Sequence, residues 1–178
     1  MQAFSRRGFQ LRSASTETKL AYSGFLAMTL FGVVTLVALS AGRIGLRAQA
    51  IATYYRGGDS EMSFPKTFWQ LMEVSHFHLF SVPVVVLILS HLLYATVAPT
   101  SWRIRLTLVT YGGALLEAFA PWAVRYVSGV FAWALLLGWA LLAGGSCMIV
   151  VISLISMWGP ESWIARFAPR RPAVQDET

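Results

Sequence analysis

The chain has 178 residues, of which 56% are hydrophobic and 12% are charged. A soluble domain has about 25% charged residues, so this composition excludes an ordinary soluble enzyme or nucleic-acid-binding domain. The net charge of +6 lies mostly in segments that flank apolar runs, where we expect it to meet lipid headgroups.

Four apolar runs of about 20 residues or more are each long enough to cross a hydrocarbon core of about 30 Å. The sequence therefore predicts an all-α fold, an integral membrane four-helix bundle. The predicted spans are about residues 20–41, 71–97, 106–124 and 130–158. Cys147 is the lone cysteine and lies in the fourth span, which excludes a disulfide framework or a thiolate cluster.

The basic residues are distributed unequally about these spans. Both termini and the connection between the second and third spans carry the larger share, which by the positive-inside rule predicts that the N- and C-termini are cytoplasmic. Residues 1–19 and 159–178 are then cytoplasmic tails, residues 20–158 form the transmembrane domain, and residues 42–70 form an external loop. We expect a multi-pass protein of a bacterial cytoplasmic (inner) membrane.

The external loop contains one predicted helix of its own. Ile44–Tyr55 has an apolar side and ends before Gly57-Gly58, which is typical of a short interfacial helix. Ser63, followed by Pro65, suggests an N-cap that starts the second long helix near residue 64.

All three histidines of the chain, His76, His78 and His91, fall on that second helix. Imidazole in an apolar segment costs free energy unless a ligand or polar group compensates it, so these residues are candidate cofactor ligands. At about 100° and 1.5 Å per residue, His76 and His91 lie within roughly 60° of each other and about 22 Å apart. His78 points about 140° away from His91.

His76 and His91 on one stripe of a single helix resemble the haem-bearing helices of cytochrome b-type membrane proteins, and His78 matches less well by angle. The resemblance implies haem b near each side of the bilayer. A second axial ligand is needed, and the other helices contain no histidine. It could come from a second copy across a two-fold axis, from another membrane subunit, or from Met28 or Met148.

A metal site near the external side is an alternative. Glu73 and His76 have the i, i+3 spacing that places a carboxylate and an imidazole on one helical face. With Glu117 of the third helix they could bind Zn²⁺, Cu²⁺ or an iron centre.

A quinone site is compatible with either alternative. Quinone carbonyls need hydrogen-bond donors beside apolar walls, and His76, Tyr111, Trp122 and Tyr126 are available near the membrane edge. Glu117 lies within a span, so we expect it to have a function or a partner, and His78 or His76 is the predicted partner.

Small residues recur on the third and fourth helices. Gly112, Gly113, Gly138, Gly144 and Gly145 allow helix backbones to approach closely. Ordinary packing within the bundle is the first interpretation of this pattern, and a dimer face is the second.

The predicted function is an integral membrane subunit of a respiratory or photosynthetic electron-transfer complex, binding haem b or quinol through the second helix. The alternatives are a cofactor-free accessory or assembly subunit, and a protein with a metal site at the outer face. Expected partners are other membrane subunits or a second copy, with lipid and without nucleic acid. The chain lacks a nucleophile triad, a phosphate-binding glycine loop and a Cys-x-x-Cys motif, which disfavours a hydrolase, a kinase or a thiol oxidoreductase.

Overall fold

The computed structural model describes residues 9–58 and 62–160, and this part of the chain is all-helical. The five α-helices are α1 (Thr16–Arg43), α2 (Ala48–Arg56), α3 (Phe68–Tyr94), α4 (Thr100–Tyr126) and α5 (Ala132–Trp158). Short 3₁₀ turns precede α1, at Leu11–Ser13, and α5, at Gly129–Phe131. Residues 1–8 and 161–178, which belong to the two predicted cytoplasmic tails, lie outside the described residues.

Three helical segments in the described part of the chain are long and apolar enough to cross a membrane: α1, α3 and Gly129–Trp158. The predicted third span lies within α4, which has 27 residues like α3 and α5. α4 is not among the three because glycine, threonine and Glu117 interrupt its apolar residues.

The second long helix begins later than Ser63 predicts. Ser63 pairs with Gly58 through two antiparallel backbone hydrogen bonds of 3.1 and 3.2 Å, so it belongs to the loop. Thr67 is the N-cap instead, and it forms a reciprocal capping box with Gln70. The prediction that Ser63 caps the helix is wrong because Thr67 and Gln70 together satisfy two backbone N–H groups.

The helix predicted within the first loop is present, but it is shorter than predicted. Ile44 belongs to the C-terminus of α1, where its N–H donates to the Ser40 carbonyl, so α2 starts only at Ala48. Gly57 ends α2 with a φ of +82°, a conformation that glycine adopts without strain. The predicted stop at this glycine pair is confirmed.

The closest helix packing is between α4 and α5, and glycines create it. A Cβ added to Gly113 would lie 2.5 Å from the Leu142 nitrogen, and one added to Gly138 would lie 2.8 Å from Leu116 Cβ. Gly145 faces Thr110 in the same way. In lipid, such backbone approach supplies the dispersion contacts that hold helices together.

Separate sets of hydrogen bonds hold the helices together at the two ends of the molecule. At the end with the N-terminus, the Leu11 N–H donates to the Ala95 carbonyl, and Trp158 Nε1 donates to Ser23 Oγ. At the other end, Arg56 donates to the Val124 carbonyl. The Arg56 contact fixes α2 over the end of α4. There α2 and the loop before α3 form one side of the candidate site.

Candidate functional site

The structure pairs His78 on α3 with Glu117 on α4. His78 Nδ1 lies 2.6 Å from Oε1 and 2.7 Å from Oε2 of Glu117. The Glu117 side chain is only 7% exposed, and that of His78 is 22% exposed. One histidine therefore satisfies a carboxylate that would otherwise be buried without a partner.

A second interaction beside this pair fixes the α3–α4 spacing. Ser75, one turn before His78, donates to the Ala118 carbonyl at 3.4 Å and accepts from Trp122 Nε1 at 2.7 Å. Trp122 is therefore a structural donor to Ser75. Its ring also stacks with Tyr126, with centroids 6.0 Å apart.

His78 and Glu117 line a cleft of about 310 Å³ near the end of the bundle that carries α2. This volume is at the lower end of the range for small-molecule sites. Its walls come from all five helices and from the loop before α3. The principal lining residues are Leu36, Tyr54, Tyr55, Lys66, Glu73, Pro121 and Trp139, with the ion pair.

The polar groups at the mouth of the cleft come from α2 and the loop. Lys66 Nζ lies 4.2 Å from the centroid of the Tyr54 ring, a cation–π contact. Arg125 Nε donates to the Lys66 carbonyl at 2.9 Å, which holds the loop against α4. Burial raises the pKa of the Tyr55 hydroxyl, and Tyr54 and Glu117 raise it further, so Tyr55 is a neutral hydrogen-bonding group there.

The cleft is open because α1 packs chiefly on α5 rather than on α3. Leu36 and Ser40 of α1 line it across from α3. A second cavity, of about 530 Å³, adjoins it outside and shares Tyr54, Lys66 and Gln70. The cleft is therefore bordered by this second cavity at the bundle end and by the gap between α1 and α3 on its side.

The other two histidines lie on the outer surface of the bundle. His76 and His91 are both exposed. His91 Nδ1 lies 3.1 Å from the Leu87 carbonyl oxygen of its own helix, which orients the ring. Met28 and Met148 are also exposed, at 69% and 47%. Neither histidine lines the cleft.

The structure does not assemble the predicted metal trio. Glu117 contacts His78, and His76 points away because residues two apart on a helix diverge by about 160°. Across residues 9–58 and 62–160, no group of three or more His, Cys, Asp or Glu side chains is placed to hold a metal ion. Glu73 lies on the cleft wall, but it belongs to no such group of metal ligands.

The remaining quinone candidates lie away from the cleft. Tyr111 packs beside Val86, Ala114 and Leu142 in the middle of the bundle, and Tyr126 is 53% exposed at its end. The cleft instead contains Tyr54, Tyr55, Lys66 and Trp139, which sequence reasoning did not single out. A tyrosine pair on the interfacial helix, just before two glycines, is the signal that could have indicated them.

Comparison with known proteins places most of this architecture in a family. Residues 45–163, about two thirds of the chain, match the model of a family described as a transmembrane helical domain. The chain belongs to this family.

The part of the chain that matches the transmembrane helical domain family contains α2 to α5, and with them both members of the ion pair. The cleft residues Leu36 and Ser40 of α1 lie before it. No curated protein and no solved structure matches the chain.

Proposed function

We propose that this membrane protein is a quinone- or quinol-binding subunit of an electron-transfer complex, with the headgroup in the cleft beside His78 and Glu117. One observation carries the proposal: a buried carboxylate and an imidazole share the wall of a cleft that is otherwise mostly apolar. A quinone ring needs apolar walls, a donor for its carbonyl and, when reduced, an acceptor for its hydroxyl proton.

The ion pair supplies both groups. The imidazole can donate from a ring nitrogen to a quinone oxygen, while Glu117 accepts a proton from a quinol hydroxyl directly or through His78. Tyr55, kept neutral by burial, is a further donor on the same wall. Partner membrane subunits in the complex would exchange electrons with the bound quinol.

The proposal includes a four-span bundle in a bacterial cytoplasmic membrane, with both termini inside. α4 supports a fourth span because Arg103 and Arg125 are separated by about 33 Å along its axis, close to the thickness of a hydrocarbon core. Its outer side exposes Leu108, Leu115 and Phe119 by more than half of their surfaces. Its carboxylate is turned inward, onto His78.

The test uses a tail-free quinone, a methyl-substituted benzoquinone, with the purified protein in lipid nanodiscs. Trp139 lines the cleft, so quinone bound there should quench its fluorescence saturably. Most of the saturable quenching should vanish in Trp139→Phe and persist in Trp133→Phe, which removes a 67% exposed ring elsewhere on α5. Quenching that does not saturate, or that depends on Trp133, would overturn the proposal.

Changing the ion pair tests the same binding site. Glu117→Gln and His78→Gln should each lower quinone affinity by about tenfold, the effect of losing one charge-assisted hydrogen bond. Tyr126→Phe, which removes a hydroxyl outside the cleft, should leave affinity unchanged. Equal affinity in all variants would contradict a headgroup site at the pair.

A second candidate, haem b ligation by His76 and His91, is favoured by the orientation of His91. A Nδ1–H bonded to a carbonyl oxygen fixes the imidazole tautomer and leaves Nε2 available as a ligand. Because both rings lie on the outer surface, we propose that such a haem would need its second ligand from a partner subunit or a second copy. Reducible Soret and alpha bands lost in His91→Ala support it, and bands retained in His91→Ala and His76→Ala would exclude it.

A further inference from the structure

An apolar groove continues from the cleft along the side of the bundle. It has a volume of about 360 Å³ and runs between α1 and α3, with α5 as its floor. Leu36 lines both the cleft and the groove, so the two spaces meet at that residue. The principal groove residues are Phe25, Thr29, Gly32, Val82, Val85 and Leu142.

Two of the three polar side chains that line the groove are satisfied by their own helices. Thr29 Oγ1 donates to the Phe25 carbonyl, and Ser81 Oγ donates to the Phe77 carbonyl, each at 2.9 Å. A ligand in the groove therefore meets mostly methyl and methylene groups, and the third hydroxyl is that of Ser146 on α5. The groove wall fits a hydrocarbon chain better than a polar one.

The direction of the groove fits a ligand with a polar head and a long tail. α1 and α3 run antiparallel, so the groove follows Leu36 to Phe25 on one side and residues 81–86 on the other. This path is about 16 Å long at the helical rise of 1.5 Å per residue. One end adjoins the cleft that holds the His78–Glu117 pair, and the other end, at Phe25 and Val86, lies past the midpoints of α1 and α3.

Gly32 keeps the groove wide at its centre. A Cβ added there would meet nothing within 4 Å, so the space beside it is empty. Gly24 on the same helix is also open, but it does not line the groove. A larger side chain at Gly32 would therefore block the groove without disturbing helix packing. The same change at Gly24 is the matched control, because Gly24 lies outside the groove.

We propose that the groove holds the isoprenoid tail of the quinone or quinol whose headgroup lies in the cleft, so that the ligand is a tailed, membrane-resident quinone. This inference rests on the proposed headgroup site and adds the ligand class. Continuity through Leu36 favours the tail of the same molecule over an unrelated acyl chain. The ligand enters sideways from the bilayer, between α1 and α3.

The experiment compares quinones with and without an isoprenoid tail against Gly32→Leu and Gly24→Leu in nanodiscs. Gly32→Leu should lower affinity for the tailed quinone by about tenfold and leave affinity for the tail-free quinone unchanged. Gly24→Leu should leave both affinities unchanged. If the tail-free quinone binds and Gly32→Leu affects neither ligand, the tail groove is wrong while the headgroup site stands. If neither quinone binds the wild type, the proposed function itself fails.

A photoreactive diazirine at the end of the tail gives an independent measurement of position. Crosslinks should fall on α3 between residues 82 and 86 and on α1 between residues 25 and 33, and excess unlabelled tailed quinone should suppress them. A phospholipid with a diazirine acyl chain that labels the same residues and is not displaced by the quinone would overturn the proposal.

Discussion

His78 Nδ1 lies within 2.7 Å of both carboxylate oxygens of Glu117, and this contact joins α3 to α4. Neither side chain has another hydrogen-bond partner in the described residues. The pair is therefore a structural link as well as the proposed headgroup site. Its two roles can be separated because stability and ligand affinity are measured independently.

Removing one member of the pair should cost more stability than removing both. Glu117→Leu leaves His78 without its acceptor, and His78→Phe leaves a buried carboxylate without a donor. We expect each to lower the free energy of unfolding by about 1–3 kcal/mol, and the double variant to recover part of the loss. Denaturant titration in detergent measures all three. Strictly additive losses would show that the two side chains do not interact.

The α4–α5 contact should tolerate a methyl group at some glycines and not at others. Gly113→Ala and Gly145→Ala place a Cβ against Leu142 and Thr110, and each should destabilise the protein by about 1–3 kcal/mol. Gly112→Ala and Gly144→Ala add the same methyl where nothing lies within 4 Å. These controls should be neutral or slightly stabilising in an unfolding titration, because alanine favours the helix. Similar losses in all four variants would contradict the observed packing.

Tyr55 should make the protein sensitive to alkali. Its pKa in the folded state is raised by burial, so above the unfolded tyrosine pKa of about 10 the unfolded chain loses a proton that the folded chain keeps. The stability from this residue is complete below about pH 10 and falls as the pH rises further. Unfolding titrations from about pH 9 to about pH 11, which bracket the ordinary tyrosine pKa of about 10, should show a smaller decline in Tyr55→Phe than in the wild type. The same decline in both would place the sensitivity elsewhere.

The proposed topology predicts which ends of the bundle are accessible from outside the cell. In a Cys147→Ser background, Met62→Cys places a thiol at an 89% exposed loop position, and Gln10→Cys places one near the N-terminus. A membrane-impermeant maleimide should label Met62→Cys in intact cells and Gln10→Cys only after lysis. The opposite pattern would invert the orientation.

The sequence predicts the long helices well because apolar runs of membrane-spanning length leave the backbone no other way to satisfy its hydrogen bonds. The sequence alone misplaces the start of α3, because serine and threonine are both good N-cap residues and either Ser63 or Thr67 could begin the helix. Only Thr67 has glutamine three residues later, which completes a capping box.

Helical periodicity predicts only part of the candidate site, and the reason is geometric. Periodicity shows that His76 and His91 share a stripe and that His78 does not, but it does not show which stripe faces the bundle. The rotation of α3 is set by its contacts with α4, including the Ser75–Trp122 hydrogen bond. That rotation turns His78 inward to Glu117. The gap between α1 and α3 likewise depends on tertiary packing.

The most direct test of the central claim is redox-induced infrared difference spectroscopy on the protein with bound quinone. If Glu117 takes a proton from the quinol headgroup, a carboxyl band should change between the oxidised and reduced states, and it should be absent in Glu117→Gln. We predict that outcome, with a shifted band in His78→Gln. A difference spectrum that is identical in wild type and Glu117→Gln would contradict a quinone site at this pair.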